Sequence, residues 1–300
     1  MTLRFSLDPV PPFRLDLTVW TLRRRPINAV DVWDGKTYRR GLVFDNRPVE
    51  IAVTQTGSTL EVTVTGARLV SSSMTSAVTM VLQRMLGTDV DLKEFYDFAS
   101  QDPKLNQLVH RFRGAKPPRF PSIFEALVNG ISCQQLSLTV GITLLNRLAE
   151  QCGLAAGSSI YCFPRPEDLV KMTPAEFRGL GYSGNKTRAL LELSHAIIDG
   201  RLDLETLVKR DDQEIKRILL EMWGIGRWTA EYALLRGVGR IDLFPGDDVG
   251  ARNNLKRWLK LRTPLDYARV GHVLQKRNRY AGLLYFHLLL DRLDETGCLR

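Results

Sequence analysis

The strongest constraint on the fold lies near residue 220, where one amphipathic helix must stop and a second must start within three residues. Asp211 and Glu214 have capping-box spacing, and Ile215, Ile218, Leu219 and Met222 fall at i, i+3, i+4 and i+7 on one helical face. Gly224-Ile225-Gly226 ends that helix with two residues that tolerate positive φ, while Ile225 plugs the turn into the core. A second helix is predicted from about Arg227 to Arg236, so the unit is helix, tight hairpin, helix. Its glycines leave backbone N–H groups bare at a helix N-terminus, where a phosphate can dock, and Arg227 adds a side-chain charge there.

Downstream, the run IDLFPGDD leads into another helix predicted from Val249 to Leu259. A carboxylate at that helix N-terminus is expected to be held ionised by the free N–H groups and the helix dipole. An isolated Asp247-Asp248 pair reads as simple capping. Placed just after this hairpin, it becomes a candidate functional group.

The hairpin GIGRWTAEYALLRG together with the doubled aspartate resembles the helix-hairpin-helix superfamily of DNA glycosylases, most of all its DNA-3-methyladenine glycosylase II branch. The resemblance covers roughly residues 90–290. It implies Asp248, the second aspartate, as the catalytic residue, and a base pocket lined by Trp228 and Tyr232. Those two aromatics share a helical face at i, i+4, and from spacing alone they read as core residues. Gly224, Gly226, Arg227 and Thr229 are expected to hold the DNA backbone. The turn at 179–186 loosely echoes the hairpin, and reads either as a second phosphate site through Gly184 and Lys186 or as a structural interhelical turn. Bifunctional relatives, such as endonuclease III and the 8-oxoguanine glycosylases, carry a nucleophilic lysine two residues after the second hairpin glycine. Here that position is Trp228, and an indole forms no Schiff base, so a monofunctional enzyme without lyase activity is implied.

The implied activity is excision of alkylated purines from double-stranded DNA by base flipping and N-glycosidic hydrolysis, as in base excision repair. Between two amphipathic helices, the break Ser132-Cys133-Gln134-Gln135 matches the turn that supplies the wedge into the base stack, with Gln135 at that point and Gln134 the other candidate. Two departures from the family pattern stand out. Arg277 occupies the place of a tryptophan ahead of the last long helix, where it would serve either a DNA phosphate or the pocket, and Trp223 replaces the usual hairpin proline. A glycosylase for deaminated or oxidised bases, and a non-catalytic helix-hairpin-helix DNA-binding module, are the competing classes. Asp248 argues against the module.

Residues 1–88 read as an α+β domain, an antiparallel sheet with one helix. The segments FRLDLTVW, KTYRRGLVF, PVEIAVTQ and STLEVTVTG alternate apolar and polar residues, and a helix is predicted from Thr75 to Leu86. Arg23-Arg24-Arg25 reads as a solvated turn. Residues 89–300 read as all-α, two packed helical bundles with the active-site cleft between them; two short helices, Leu92 to Ala99 and Pro103 to Phe112, precede a proline-rich basic linker, GAKPPRFPS.

Charge and cysteine usage narrow the partners. A net charge of +9 and a pI near 9.5 over 300 residues suit a polyanionic partner. Cys133, Cys152, Cys162 and Cys298 lack metal-ligand spacing, and neither an iron–sulfur cluster nor a zinc site is expected, so no cofactor is implied. The N-terminal MTLRFSLDPVPPF has no apolar core of signal-peptide length and no apolar run reaches a membrane span, so the expected location is the cytoplasm; a monomer acting on DNA, with no membrane partner, is also expected.

Overall fold

The computed structural model describes residues 2–66, 72–157 and 160–299. Five strands, β1 (Thr2–Leu7), β2 (Val32–Trp33), β3 (Thr37–Phe44), β4 (Arg47–Thr56) and β5 (Thr59–Gly66), form one antiparallel sheet in the order β1-β5-β4-β3-β2. Alternation decides its faces. Ile51↔Val64 and Val53↔Val62 pair across β4 and β5, and all four are buried. Asp45 and Asn46 both take positive φ, 47° and 59°, which matches the twist of the β3–β4 hairpin.

The first predicted strand is a helix instead. Residues Leu15–Arg23 form α1, and every residue in it except Asp16 is buried. Leu15, Val19 and Leu22, at i, i+4 and i+7, join the apolar cluster under the sheet, while Leu17 and Trp20, at i and i+3, join a second cluster. A helix buried on two sides carries apolar residues at almost any spacing, so the period-two alternation of Phe13, Leu15, Leu17 and Val19 is no guide to its fold. Fully burying each such Leu or Val contributes about 1.5–3 kcal/mol. The predicted sheet-covering helix is α2, Ser72–Leu86, whose Val78, Leu82 and Met85 share the core with the strands.

The remainder of the described chain is helical: α3 (Lys93–Ser100), α4 (Pro103–Arg111), α5 (Ile123–Cys133), α6 (Leu138–Cys152), α7 (Pro166–Leu169), α8 (Pro174–Leu180), α9 (Gly184–Ile198), α10 (Leu204–Leu207), α11 (Asp212–Leu220), α12 (Arg227–Ala233), α13 (Val249–Leu259), α14 (Tyr267–Leu274) and α15 (Ala281–Glu295). Caps fix many of the starts. Ser122, Ser137, Thr173, Ser183, Asp211, Asp248 and Asp266 each accept a backbone N–H from their own first turn. The proline-rich segment before α5 is buried rather than a free linker. Lys116 is 1% exposed and donates to the Val90 carbonyl, and Phe120 N–H donates to the Arg236 carbonyl.

Two apolar clusters make up the interior. The first joins the sheet and α2 to α5, α6, α9, α11 and α12, and the second joins one face of α1 to α3, α4, α13, α14 and α15. Arg40 on β3 ties the sheet to the helices, pairing at 2.5 Å with Asp31 and at 2.6 Å with Glu125 on α5, all three buried. The hairpin after α11 belongs to the first cluster and α13 to the second, so the step from Gly226 to Asp248 crosses the seam between them.

Candidate active site

The hairpin forms as its residues require, with one difference between its glycines. Gly224 has φ 77°, and a Cβ there would meet the Ala189 Cβ on α9 at 2.5 Å, so both conformation and space demand glycine. Gly226 is extended (φ −95°, ψ 177°) at the N-cap of α12, and a Cβ there would meet nothing. Its bare backbone faces open space. Upstream, Asp211 accepts from Gln213 and Glu214 N–H groups at 2.9 Å, but Glu214 pairs with Arg210 instead of returning to complete the box.

Across the seam, Asp248 caps α13. Its Oδ1 accepts the Ala251 N–H at 2.8 Å and its Oδ2 accepts the Trp228 indole Nε1–H at 3.3 Å. Capping and site are therefore one arrangement. The helix N-terminus does not set the net direction of its titration, however. Burial pushes the Asp248 carboxyl above the ordinary carboxylate value, outweighing the Ala251, Trp228 and Gly250 donors and the positive charge of Arg24. Asp247 faces outward to Arg227, which donates to it at 2.6 Å and lies 3.8 Å over the Tyr267 ring. Arg227 thus fastens the aspartate loop to the hairpin.

Trp228 and Tyr232 stand side by side, ring centroids 5.6 Å apart and tilted by 34°. Trp228 is half-buried and Tyr232 fully buried. Here the basic cluster at 23–25 departs from expectation. Arg23 and Arg24 are buried, and Arg24 donates to the Tyr232 phenol oxygen at 2.7 Å and to Asn129 Oδ1 at 2.6 Å. No local pattern could reveal that contact, since its partners lie more than a hundred residues away.

Three turns meet beside this pair. The Gln134 amide donates to the Gly224 carbonyl at 2.8 Å and to Thr229 Oγ1 at 2.9 Å, locking the α5–α6 turn onto the hairpin. Gly130 lets α5 approach that closely, for a Cβ there would meet Thr229 Cγ2 at 2.8 Å. Thr229 is consequently 1% exposed, a strut rather than a surface donor. Gln135, by contrast, is exposed in the left-handed region at φ 53°, its side chain in no protein hydrogen bond among the described residues. Lys186 donates to the Ser132 carbonyl at 2.8 Å, so its amine caps α5, while Gly184 lies exposed in the first turn of α9.

Arg277 is engaged by a carboxylate of the protein. Both its Nε and Nη2 donate to Asp102, the N-cap of α4, and its guanidinium lies 5.3 Å from the Trp258 ring centroid. The last helix contributes Tyr285 instead, buried, with its phenol pushed well above its ordinary value by burial and by the Asp248 charge. Glu231 also escaped the sequence reading. It is 2% exposed, accepts the Tyr267 hydroxyl at 2.6 Å and the Gly246 N–H at 3.3 Å, and so holds the loop before Asp248. A glutamate inside the apolar run of α12 was its only signal.

A glycine hairpin clasped to a neighbouring turn, with an aspartate capping the next helix, defines a helix-hairpin-helix protein with a carboxylate held beside the hairpin. The chain belongs to the HhH-GPD superfamily of base excision DNA repair proteins, whose model matches residues 128–277, and an AlkA N-terminal domain matches residues 4–122. It is 30% identical over 171 residues to the DNA-3-methyladenine glycosylase of Bacillus subtilis strain 168, a match spanning 56% of each chain. It is 26% identical over 252 residues to DNA-3-methyladenine glycosylase 2 of Escherichia coli K12, covering 81% of this chain and 84% of the relative. Among solved structures, the 3-methyladenine DNA-glycosylase from Archaeoglobus fulgidus superposes with a TM-score of 0.83 at 26% identity, over 99% of this chain and 100% of that one.

Proposed function

We propose that the protein is a monofunctional DNA glycosylase that excises alkylated purines of the 3-methyladenine type from double-stranded DNA, acting as a monomer. The observation that carries this reading is Asp248, fixed at a helix N-terminus and by the Trp228 indole beside the Trp228–Tyr232 pair. The names of its relatives point to the same chemistry.

Reaching an N-glycosidic bond requires the nucleotide to leave the duplex, at a cost of a few kcal/mol. Gln135, exposed on a turn that Gln134 holds rigid, fills the vacated stack and offers the orphaned base new hydrogen bonds. The open backbone at Gly226 and the first turn of α9 at Gly184 grip phosphate without reading sequence. Gly224 shapes that grip, and Lys186 and Thr229 support it from behind.

An N-alkylated purine is cationic and already a good leaving group, and stacking on the Trp228 indole contributes about 0.5–2 kcal/mol. As the bond breaks, the Asp248 anion either stabilises the oxocarbenium-like sugar or orients the attacking water. With Trp228 in the lysine position, no amine forms an imine with the sugar, so the product is an abasic site in an intact strand.

The test is a panel of duplexes, each with one defined lesion, assayed for abasic sites. Release of 3-methyladenine and 7-methylguanine supports the reading. Release restricted to oxidised bases, or none at all with tight DNA binding, overturns it.

A further inference from the structure

Arg24 has no duty in the reading above, yet it occupies an expensive position. It is 4% exposed, holds a left-handed backbone (φ 62°) at the C-cap of α1, and has no carboxylate within ion-pair distance among the described residues. A guanidinium buried without an anion is strongly unfavourable unless its N–H groups are well used. Nη1 goes to Tyr232, Nη2 to Asn129, and Nε is left without a partner. The other buried arginine nearby, Arg236, behaves differently. It donates to the Thr21 and Leu22 carbonyls and so closes the C-terminal end of α1.

The chemistry of the Arg24–Tyr232 bond has a direction. Arginine offers donors only, so the Tyr232 oxygen must be the acceptor. The phenolic proton is then free to be donated elsewhere, and the hydroxyl donates no hydrogen bond to any of the described residues. A base flipped onto the Trp228–Tyr232 pair would meet a committed donor backed by a fixed positive charge. We propose that Arg24 is a positioning residue of the base pocket: by donating to Tyr232 it turns that phenol into a donor and favours a neutral purine with an acceptor edge over a cationic one. This rests on the glycosylase reading and adds to it a term in lesion preference set by the sheet-bearing domain. The charge also acts on Asp248, opposing the effect of burial there.

The experiment compares kcat and KM for release of neutral hypoxanthine and cationic 7-methylguanine from otherwise identical duplexes, using wild type, Arg24→Met, Arg24→Lys and Tyr232→Phe. Losing one directed donor should lower the ratio of kcat/KM for hypoxanthine to kcat/KM for 7-methylguanine about tenfold in both Arg24→Met and Tyr232→Phe. Arg24→Lys should restore part of the loss. If both substrates fall by the same factor in every variant, Arg24 is only an interdomain strut and the proposal is overturned. Tyr232→Phe leaves Arg24 in place, so it decides the matter even if Arg24→Met does not fold. Binding of 9-methylhypoxanthine against 7,9-dimethylguaninium, read by tryptophan quenching, gives the same ratio without turnover. A wild type that releases neither base defeats the glycosylase reading, whereas the binding ratio still judges Arg24.

Discussion

The Trp228 indole donates to the same Asp248 carboxylate that caps α13, so in the proposed mechanism one side chain would form the floor for a base and also orient the anion that would act on its sugar. The bond crosses the seam between the two apolar clusters, and the spacing of floor and anion depends on how those clusters pack.

That bond makes a pH prediction. Burial raises the Asp248 pKa and the indole opposes the rise, because it bonds the charged form. Since the anion is the active form, the acidic limb of kcat/KM should lie above the ordinary carboxylate range. Trp228→Phe keeps an aromatic floor but removes the donor. It should move that limb to higher pH and lower kcat/KM at neutral pH by about 1–2 kcal/mol, roughly five- to thirtyfold. A limb that does not move in the variant would show that the bond has no electrostatic role.

The two glutamines should separate cleanly. Gln134→Ala removes two hydrogen bonds that join the α5–α6 turn to the hairpin, and should cost about 1–3 kcal/mol in urea unfolding. Gln135→Ala alters an exposed side chain that makes no hydrogen bond among the described residues, so stability should stay within about 0.5 kcal/mol. Flipping, followed by 2-aminopurine fluorescence beside the lesion, should weaken in Gln135→Ala. If only Gln134→Ala weakens it while folding stably, the wedge assignment moves one residue.

Strand cleavage should be absent. Borohydride added during turnover should trap no protein–DNA adduct, because Trp228 presents no amine; a trapped adduct on gels would refute the monofunctional assignment.

His287 predicts acid sensitivity remote from the site. Burial lowers its pKa to about 4, with Nδ1 against the Leu283 carbonyl and Nε2 unpartnered. The unfolded chain binds the proton near pH 6.5 and the folded one only near 4, so stability is lost as pH falls through that window. The loss from this group should be about 3 kcal/mol. His287→Met should flatten the urea-measured dependence between pH 7 and 4, and an unchanged slope would exclude His287 as its source.

How much was legible follows from the range of each interaction. Helix α13 runs from Val249 to Leu259 as expected, because a local cap and a local apolar stripe fix it. Gly224, Ile225 and the start of α12 at Arg227 are likewise consequences of adjacent residues. Helix α1 forms where alternation predicts a strand, because both its sides are buried, which erases the amphipathic period. The partners of Arg24, Arg277 and Thr229, namely Tyr232, Asp102 and Gln134, are brought to them only by the tertiary fold, so these contacts have no local signal. Charged residues were read as facing water or DNA. Burial with a distant partner leaves no local trace.

The central claim rests on Asp248, and single-turnover release of 7-methylguanine by Asp248→Asn tests it most directly, with affinity for an uncleaved duplex measured in parallel. An amide still caps the helix but carries no charge. Release should fall by about a hundredfold or more while DNA affinity stays similar or rises, and Asp247→Asn should show a much smaller effect. Release at the wild-type rate by Asp248→Asn, or a loss confined to Asp247→Asn, would contradict the mechanism.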